Sequence, residues 1–321
     1  MTDPTLPVSL ADIEAAAQRL DGVVVRTPLL RLTLDGEVYV KPESLQRTGS
    51  FKFRGAYNAL ASTPFERIER GVVADSSGNH AQGVAAAAAL LGVPATIVMP
   101  ENAAPVKVAR TEGWGAEIIR CANSSEERQR VASEIRDTRG LEYIPPFDDA
   151  RIIAGQGTVG LEIAQALPEV QTVVVCIGGG GLISGVATAV KALCPNARIV
   201  GVEPELAADA QESLREGRIV SWPAEKVTRT VCDGVRTQEI GVLNFATIAA
   251  LVDEIVTVSE DAVLEAMRWL ALEAKLLVEP TGALTLAALQ SGAVAVDGPT
   301  VLVVSGGNVD PALAARVLAR D

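Results

Sequence analysis

Short runs of apolar, mostly β-branched residues alternate along the chain with longer alanine-rich segments. Each apolar run has the length of a buried strand, and each alanine-rich segment has the composition of a helix. Strands that alternate with helices form parallel sheets, so the pattern predicts an α/β fold with two mostly parallel sheets. The predicted strands lie near Val72, Thr96, Glu117, Val173, Ile199 and Val301.

Turn-forming segments divide this pattern into two domains. Pro145-Pro146 marks one boundary and Ser62-Thr63-Pro64 marks another. Between them, residues 71–147 form a compact βα segment that we interpret as the smaller domain. Residues 1–62 and 148–321 then form the larger domain, and a ligand would bind in the cleft between the two.

Lys52 is the first candidate for chemistry. Ser50 is a residue type that caps helices, so Lys52 would lie in the first helical turn, where the helix dipole disfavours a protonated amine. A lysine with a lowered pKa can act as a nucleophile and form a Schiff base. A solvated first-turn lysine is the alternative, so the interpretation depends on the loops that accompany it.

A run of four glycines follows a predicted strand and precedes a helix: Gly178, Gly179, Gly180 and Gly181. Such a run lets consecutive backbone N–H groups turn toward one phosphate, and the next helix adds its dipole. Glu203 lies where a dinucleotide fold has its ribose-binding acid, but the third glycine of that fingerprint is missing. No Gly-Lys-Ser/Thr follows, which argues against a nucleotide-hydrolysing P-loop, and a purely structural turn is the alternative.

Two further loops place polar side chains after predicted strands. Ser76 and Asn79 lie at a helix start, where they and backbone N–H groups suit a substrate carboxylate; capping by Ser76 and Ser77 is the alternative. His80 is the only histidine, which excludes a His-rich zinc site and leaves either a structural role or a role in binding. Ser305 follows a buried strand, and its hydroxyl suits a ring nitrogen or a turn.

Together, five motifs resemble those of one enzyme family. In chain order they are Ser50-Phe51-Lys52-Phe53-Arg54-Gly55-Ala56, Ser76-Ser77-Gly78-Asn79-His80, the glycine run, Glu279-Pro280-Thr281-Gly282 and Ser305-Gly306-Gly307-Asn308. The set covers nearly the whole chain. It is similar to that of the pyridoxal-phosphate enzymes of fold type II, the tryptophan-synthase-β fold, and within them to the serine/threonine dehydratases and serine racemases. The resemblance implies two lobes, each with a mostly parallel sheet flanked by helices, and pyridoxal 5'-phosphate in the cleft.

The resemblance also implies roles for individual residues. Lys52 would hold the cofactor aldehyde as a Schiff base, and Ser305 would meet the ring nitrogen. Phe51 and Asn79 would contact the ring and its hydroxyl, and the glycine run 178–181 would bind the phosphate. A neutral serine at the nitrogen weakens the electron sink and favours prompt loss of a β-hydroxyl. With Lys52 as base at Cα, L-threonine or L-serine would give a 2-oxo acid and ammonia.

Three features bear on the substrate. Ser77 matches the serine that serves racemases as a second base, whereas typical threonine dehydratases have alanine there; some threo-3-hydroxyaspartate dehydratases resemble the same motif. Arg128 matches an arginine that relatives use for dicarboxylic ligands, although Glu126, Glu127, Arg128 and Arg130 also have the pattern of a solvated helix face. The loop 146–149 resembles the dehydratase version and favours elimination. A dehydratase is therefore predicted, with a hydroxyaspartate dehydratase or a serine racemase as alternatives and β-replacement left open.

A metal site is predicted from the resemblance alone. Spacing by itself indicates that Glu203 and Asp209 are solvated acids. In eukaryotic-type racemases and dehydratases, however, this stretch binds Mg²⁺ or Ca²⁺. The resemblance implies that Glu203, the Ala207 carbonyl and Asp209 bind Mg²⁺, or else Ca²⁺ or Mn²⁺, and so stabilise the larger domain.

Composition narrows the function classes. The 321 residues are 48% hydrophobic, which allows extensive cores, and a net charge of -12 with 3% aromatic residues argues against a nucleic-acid surface. The four cysteines have no CxxC spacing, which indicates free thiols in a reducing compartment. Met1 to Leu10 has no signal-peptide pattern and no apolar run spans a membrane, so we expect a cytoplasmic protein.

Further expectations come from the family. The sequence stops at Asp321, soon after the Ser305 motif. We therefore expect no isoleucine-sensing regulatory domain and favour a catabolic role. A homodimer is the family expectation, and a nucleotide effector stays open. The alternative from another class is a nucleotide-binding α/β module without pyridoxal phosphate.

Overall fold

Two sheets organise the computed structural model, which describes residues 6–103 and 105–319. The strands in chain order are β1 (Leu30–Arg31), β2 (Val38–Pro42), β3 (Val72–Asp75), β4 (Ala95–Pro100), β5 (Glu117–Cys121), β6 (Glu142–Tyr143), β7 (Thr172–Cys176), β8 (Arg198–Pro204), β9 (Glu254–Val258) and β10 (Thr300–Val304). One sheet has the order β1-β2-β10-β7-β8-β9 and the other the order β5-β4-β3-β6. Only the β1–β2 pair is antiparallel among the described strands.

Helices connect the strands and cover the sheets. They are α1 (Leu10–Leu20), α2 (Lys52–Ser62), α3 (Phe65–Ile68), α4 (Asn79–Leu91), α5 (Pro105–Glu112), α6 (Ser125–Arg139), α7 (Ala150–Ala166), α8 (Gly181–Leu193), α9 (Asp209–Glu216), α10 (Ala224–Val227), α11 (Val242–Leu251), α12 (Glu260–Leu272), α13 (Pro280–Gln290) and α14 (Pro311–Leu318). Short 3₁₀ segments lie at Glu43–Leu45 and Asp233–Val235. The α/β class and the two mostly parallel sheets are therefore as predicted.

The six predicted strands are all present; five of them are apolar runs that are mostly buried in their sheets, whereas only Cys121 is buried in the edge strand β5. Every residue of β4, β7 and β10 is buried, as expected for strands covered on both faces. The sequence pattern missed four strands. β1 and β6 have only two residues each, and the apolar run of β2 is interrupted by Lys41 and Pro42. β9 alternates buried and half-buried residues at the sheet edge, which weakens its apolar signal.

The polar loops leave the sheets at the carboxyl ends of strands. The Ser76 loop follows β3, the glycine run follows β7, and the Ser305 loop follows β10. β7 and β10 are neighbours, with Leu302 opposite Val174, so the last two loops lie side by side. In open α/β sheets this edge is where ligands bind.

Each sheet has its own apolar core. The larger core joins the six-stranded sheet to α8 and α13, among other helices, and the smaller core joins the four-stranded sheet to α4. All four strands of the smaller sheet lie between residues 72 and 143. Helix α2 also packs on this smaller core, through Phe53 and Leu60 among others. The boundaries of the two domains, with residues 71–147 as the smaller one, stay a prediction.

Two expectations concern the chain ends and the membrane. The first half of the Met1–Leu10 segment and the final residue Asp321 lie outside the described residues. Within residues 6–103 and 105–319, no helix combines the length and apolar character needed to cross a membrane.

Candidate active site

Lys52 is the first residue of α2, as predicted, but Ser50 does not cap the helix. Phe51 occupies the N-cap position with helical φ and ψ of -56° and -23° and makes no side-chain capping bond. Ser50 is instead buried and pairs with Gly306 in an isolated β-bridge. The prediction of a capping serine was wrong because Ser50 pairs with the loop after β10.

The Lys52 amine is poorly neutralised. Nζ donates to the carbonyl oxygen of Pro146 at 2.7 Å and lies 5.3 Å from the centre of the Phe51 ring. No carboxylate of the described residues forms an ion pair with it. Burial lowers the pKa of Lys52 to about 8 and outweighs the opposing effect of Cys176. The predicted pKa lowering is present, with burial rather than the helix dipole as its main cause.

Ser305 lies at the end of β10, close to the start of α2. Its carbonyl accepts from the Phe51 N–H at 3.1 Å, which ties the lysine loop to the larger sheet. The Ser305 hydroxyl is buried and makes no hydrogen bond of standard geometry in the described structure, although it lowers the pKa of the neighbouring Cys176 thiol. Burial dominates there and raises the pKa of Cys176 to about 11, so the thiol is neutral. A buried hydroxyl of this kind is available to a ligand.

The glycine run forms a tight turn between β7 and α8. Gly180 has φ +92°, a conformation that favours glycine, and a Cβ on Gly179 would lie 2.3 Å from the Phe147 ring. The Gly179 carbonyl accepts from Asn244 Nδ2 at 2.8 Å, which fixes the turn from outside. Among the described residues, no acceptor takes the N–H groups of positions 178–181. The turn therefore offers free donors at the start of a helix, as an anion site requires.

The second polar loop joins β3 to α4. Ser76 Oγ accepts from the Gly78 N–H at 3.2 Å, and Ser77 is half-buried. His80 is buried, and its Nε2 lies 2.9 Å from the Ile144 carbonyl, to which it must donate. Burial, together with the positive charge of Lys52, lowers the pKa of His80 to about 3, so the imidazole is neutral. Its position next to Lys52 puts this loop at the same site.

Asn79 is held at both ends of its side-chain amide. Asn79 Nδ2 donates to Glu279 Oε1 at 2.6 Å, and Asn308 Nδ2 donates to Asn79 Oδ1 at 2.8 Å. Asn308 Oδ1 in turn accepts from Arg110 Nη1 at 2.7 Å. Burial and the charge of Asp233 raise the pKa of Glu279 to about 7.

Four of these contacting residues had no role assigned from the sequence. Glu279 and Asn308 were recognised only as parts of motifs, and nothing in the sequence pattern points to Arg110 or Asn244. Their partners are far along the chain, so only the folded structure brings them to the site.

Arg128 does not lie on the solvated face of α6 with its neighbours. Its Nε is 3.3 Å from Asp75 Oδ2, at the end of β3, and Tyr143 Oη donates to the other oxygen of Asp75. By contrast, Arg130 pairs on the exposed face with Glu127 and Glu134. The helix-face interpretation was therefore wrong for Arg128, which is half-buried and paired with the residue that precedes Ser76, and right for Arg130.

Glu203 and Asp209 form a separate buried pair at the carboxyl end of β8. The Glu203 carboxylate accepts from the N–H groups of Ala210 at 3.0 Å and Gln211 at 2.7 Å. Burial, and then the charge of Asp209, raises the pKa of Glu203. Burial likewise raises the pKa of Asp209 to about 7, with a smaller effect of Glu239. Both acids and Ala207 are buried, so the prediction of solvated acids from spacing alone was wrong.

Comparison with known proteins places these observations in context. A family model described as pyridoxal-phosphate dependent enzyme matches residues 20–306. The chain is 46% identical over 311 residues to the L-threonine ammonia-lyase of Geobacter sulfurreducens, covering 95% of this chain and 76% of that protein. It is 43% identical over 305 residues to the L-threo-3-hydroxyaspartate ammonia-lyase of Saccharomyces cerevisiae, covering 93% of each. The solved structure of maize serine racemase has a TM-score of 0.92 at 37% identity, covering 97% of this chain and 96% of that one. These matches confirm the resemblance that the five motifs indicated.

Proposed function

The chain belongs to the family of pyridoxal-phosphate dependent enzymes, and on that premise we propose that it is a dehydratase of β-hydroxy amino acids. The substrate would be of the L-threonine and L-serine class. Its β-hydroxyl leaves as water, the resulting unsaturated amine is hydrolysed, and the products are a 2-oxo acid and ammonia. Similarity to an L-threonine ammonia-lyase over 95% of the chain supports this class over a nucleotide-binding module.

The observation that carries the proposal is the Lys52 amine. It is half-buried at a helix start, unpaired with any carboxylate of the described residues, and has its pKa lowered to about 8. An amine in that state is a nucleophile near neutral pH and, once free, a base for the Cα proton.

Pyridoxal phosphate fits the residues around Lys52. The free N–H groups of the glycine run 178–181 suit its phosphate, and the buried Ser305 hydroxyl suits its ring nitrogen. Phe51, beside the amine, and Asn79 would hold the ring and its hydroxyl. When bound, the cofactor supplies an electron sink for negative charge at the substrate Cα.

The remaining steps fall to residues of the chain. Lys52 Nζ takes the Cα proton, and the Pro146 carbonyl orients the amine through the 2.7 Å contact. The loop 76–80 would bind the substrate carboxylate through Ser76, Ser77 and the N–H groups at the start of α4, with His80 as a neutral wall. Approach of the two sheets, as two lobes, would exclude water from the cleft.

Release of 2-oxo acid tests the proposal. L-threonine and L-threo-3-hydroxyaspartate would be supplied at matched concentrations with pyridoxal phosphate and Mg²⁺. We expect turnover of L-threonine, and none by Lys52→Ala. A wild-type protein that stays colourless with pyridoxal phosphate and releases no 2-oxo acid from either substrate would refute the assignment.

Hydroxyaspartate is the less favoured substrate. Arg128, the residue available for a second carboxylate, is already paired with Asp75. The 43% identity to a hydroxyaspartate ammonia-lyase nevertheless keeps this substrate in the comparison. A preference for hydroxyaspartate that is lost in Arg128→Ala would reverse the order.

Racemisation of serine is the second candidate activity. Ser77 offers a half-buried hydroxyl on the smaller sheet, whereas Lys52 lies at the start of α2, so the two groups approach the cleft from different elements. Similarity to maize serine racemase supports the same activity. If Ser77 is a second base, D-serine forms from L-serine and Ser77→Ala stops it without stopping release of pyruvate.

A divalent cation is proposed at the Glu203–Asp209 pair. Two buried carboxylates raise each other's cost of ionisation, and neither has a cationic partner among the described residues. Mg²⁺ prefers such oxygen ligands, and Ca²⁺ or Mn²⁺ are the alternatives. The Ala207 carbonyl would complete the protein ligands. This set has only two side chains, and within the described part of the chain no group of three or more His, Cys, Asp or Glu side chains could hold a metal ion.

We also infer a homodimer in the cytoplasm. Val25, Leu45 and Leu277 are exposed apolar residues on neighbouring stretches, since Gln46 binds the Val25 backbone and the Leu277 carbonyl lies beside Ser44 at Gly307. A second copy of the chain would cover them. Light scattering of Leu45→Glu, which we expect to be monomeric, tests the dimer.

The cytoplasmic location is supported by the cysteines. All four are buried free thiols, which suits a reducing compartment. A nucleotide effector stays a prediction.

A further inference from the structure

Asn79 belongs to a chain of hydrogen bonds that crosses between the two sheets three times. Arg110 lies on α5 beside the smaller sheet, and Asn308 follows β10 of the larger sheet. Asn79 begins α4 of the smaller sheet, and Glu279 immediately precedes α13 on the larger one. The chain runs from Arg110 to Asn308, to Asn79 and to Glu279, with donor–acceptor distances of 2.7, 2.8 and 2.6 Å.

The chemistry of its ends fixes the direction of every bond in this chain. Arginine can only donate and the Thr48 carbonyl can only accept. Asn308 must therefore present Oδ1 to Arg110 and Nδ2 to Thr48, which lies at 2.9 Å. Its second Nδ2 hydrogen then points to Asn79, so Asn79 must present Oδ1 to Asn308. An amide orientation that is usually ambiguous is thus determined.

The same argument leaves one donor over. Asn79 Nδ2 has two hydrogens, and the described structure gives one of them to Glu279. Asn308, in contrast, uses both of its Nδ2 hydrogens, toward Thr48 and Asn79, while its Oδ1 accepts from Arg110. The free N–H of Asn79 is therefore a donor of fixed direction.

That donor lies in the candidate active site. Asn79 Nδ2 is within 3.2 Å of the position a Cβ on Gly306 would occupy, and Ser50 and Glu279 border the same point. One turn further along α4, Gly83 packs against the backbone of Lys52. Two glycines leave space for these hydrogen-bonded side chains. A Cβ on Gly306 would lie 2.4 Å from Glu279 Oε1, and a Cβ on Gly49 would lie 2.7 Å from Asn308 Oδ1.

We propose that Arg110, Asn308 and Glu279 are positioning residues that hold the Asn79 amide with its free N–H toward the ring hydroxyl of the cofactor. This inference rests on the proposed function, since it requires pyridoxal phosphate beside Lys52. Arg110 acts from the edge of the smaller sheet. Because this chain of hydrogen bonds joins the two sheets, the position of the Asn79 donor depends on how the sheets lie relative to each other.

Cofactor affinity and colour test the proposal. The apo-protein would be titrated with pyridoxal phosphate, and the two absorption bands of the bound cofactor, which report the protonation state of its ring hydroxyl, would be compared. In Glu279→Leu the Asn79 amide keeps its bond from Asn308 but loses the acceptor that holds Nδ2, so we expect affinity to fall about tenfold and the band ratio to change. In Arg110→Met, an exposed site where folding is not at risk, we expect about a threefold loss and the same direction of band change.

Two conservative controls separate a hydrogen bond from other effects. Glu279→Gln keeps an acceptor for Asn79 without the charge, and we expect it to retain the wild-type bands and affinity within about twofold. Arg130→Met removes an exposed arginine from the same half of the molecule, and we expect no change.

The outcomes distinguish this inference from the proposed function. Wild-type protein that binds no pyridoxal phosphate would overturn both. Wild-type protein that binds it and releases 2-oxo acid, together with unchanged bands and affinity in Glu279→Leu and Arg110→Met, would overturn the positioning role alone. Glu279→Gln behaving like Glu279→Leu would also overturn it, because charge rather than the hydrogen bond would then be responsible.

Discussion

Two cations, the half-buried Lys52 and the buried Arg54, lie two residues apart in α2 and have opposite surroundings. Arg54 has no exposed surface and donates to the carboxylates of Glu43 and Glu162, each through two of its nitrogens. Lys41 also pairs with Glu162, so two cations and two anions neutralise one another. Lys52 has no acidic partner among the described residues and donates to one backbone carbonyl.

The difference distinguishes a structural residue, Arg54, from a candidate catalytic residue, Lys52, within one motif. A buried ion network in which every group is paired fixes the position of a helix and leaves nothing for a ligand to bind. An unpaired buried amine is costly to the fold, and it persists where function requires it. The start of α2 thus has a fully paired anchor at Arg54 and an unpaired amine at Lys52, on nearly opposite sides of the helix.

Removing the reactive group should have the largest effect. Lys52→Ala is expected to lose at least about a thousandfold in release of 2-oxo acid, since base catalysis alone contributes 10²- to 10⁴-fold. The yellow colour with pyridoxal phosphate should disappear as well. Turnover and absorption spectra check both, with Arg130→Ala as the control. Residual turnover within tenfold of wild type would break the contrast between Lys52 and Arg54.

Removing the anchor should act on stability. Arg54→Met leaves two buried carboxylates without their main partner and is expected to cost about 3–5 kcal/mol in the free energy of unfolding. The matched control is Arg67→Met, which removes an exposed arginine paired with Glu142 and is expected to cost at most about 1 kcal/mol. Urea unfolding measures both. Equal losses in the two variants would show that the buried network is not an anchor.

The cost of the unpaired amine should appear in the pH dependence of the apo-protein. The pKa of Lys52 is about 8 in the folded state against 10.5 for an ordinary lysine, so between these values the unfolded chain binds more protons. Stability therefore rises with pH across that window. Lys52→Met, which carries no charge, should be more stable than wild type at pH 7 by at most about 3 kcal/mol and lose this advantage as the pH approaches 10.

Urea unfolding of both apo-proteins at pH 7 and pH 9.5 tests this sign. An advantage of Lys52→Met that grows with pH would mean that the amine is stabilised, rather than strained, by its surroundings.

The Glu203–Asp209 pair extends the comparison to unpaired anions. If a divalent cation binds there, millimolar Mg²⁺ should raise the stability of wild type by on the order of 1–2 kcal/mol, and chelator should reverse it. Asp209→Asn should abolish the response, whereas Glu205→Gln, at an exposed neighbouring acid, should keep it. Thermal unfolding with and without Mg²⁺ decides. An identical response in wild type and Asp209→Asn would place the cation elsewhere.

The sequence was informative where function depends on local order along the chain. The glycine run could be singled out because it follows a predicted strand and precedes a helix, whereas Lys52 was placed at a helix start through a capping serine that the structure does not show. Ser50 was mistaken for a cap because its partner, Gly306, is remote in sequence. The contacts of Arg110 and Asn79 with Asn308 span 198 and 229 residues, and no periodicity encodes such distances.

Phe147 has a consequence for redesign of this enzyme. Its ring fills the space beside Gly179, and the preceding residue, Pro146, supplies the carbonyl that receives the Lys52 amine. A methyl group added at Gly179 would push on the same short stretch of backbone that accepts the hydrogen bond of the Lys52 amine. The glycine turn and the surroundings of Lys52 are therefore coupled through residues 146–147, and a protein engineer who alters one must also adjust the other.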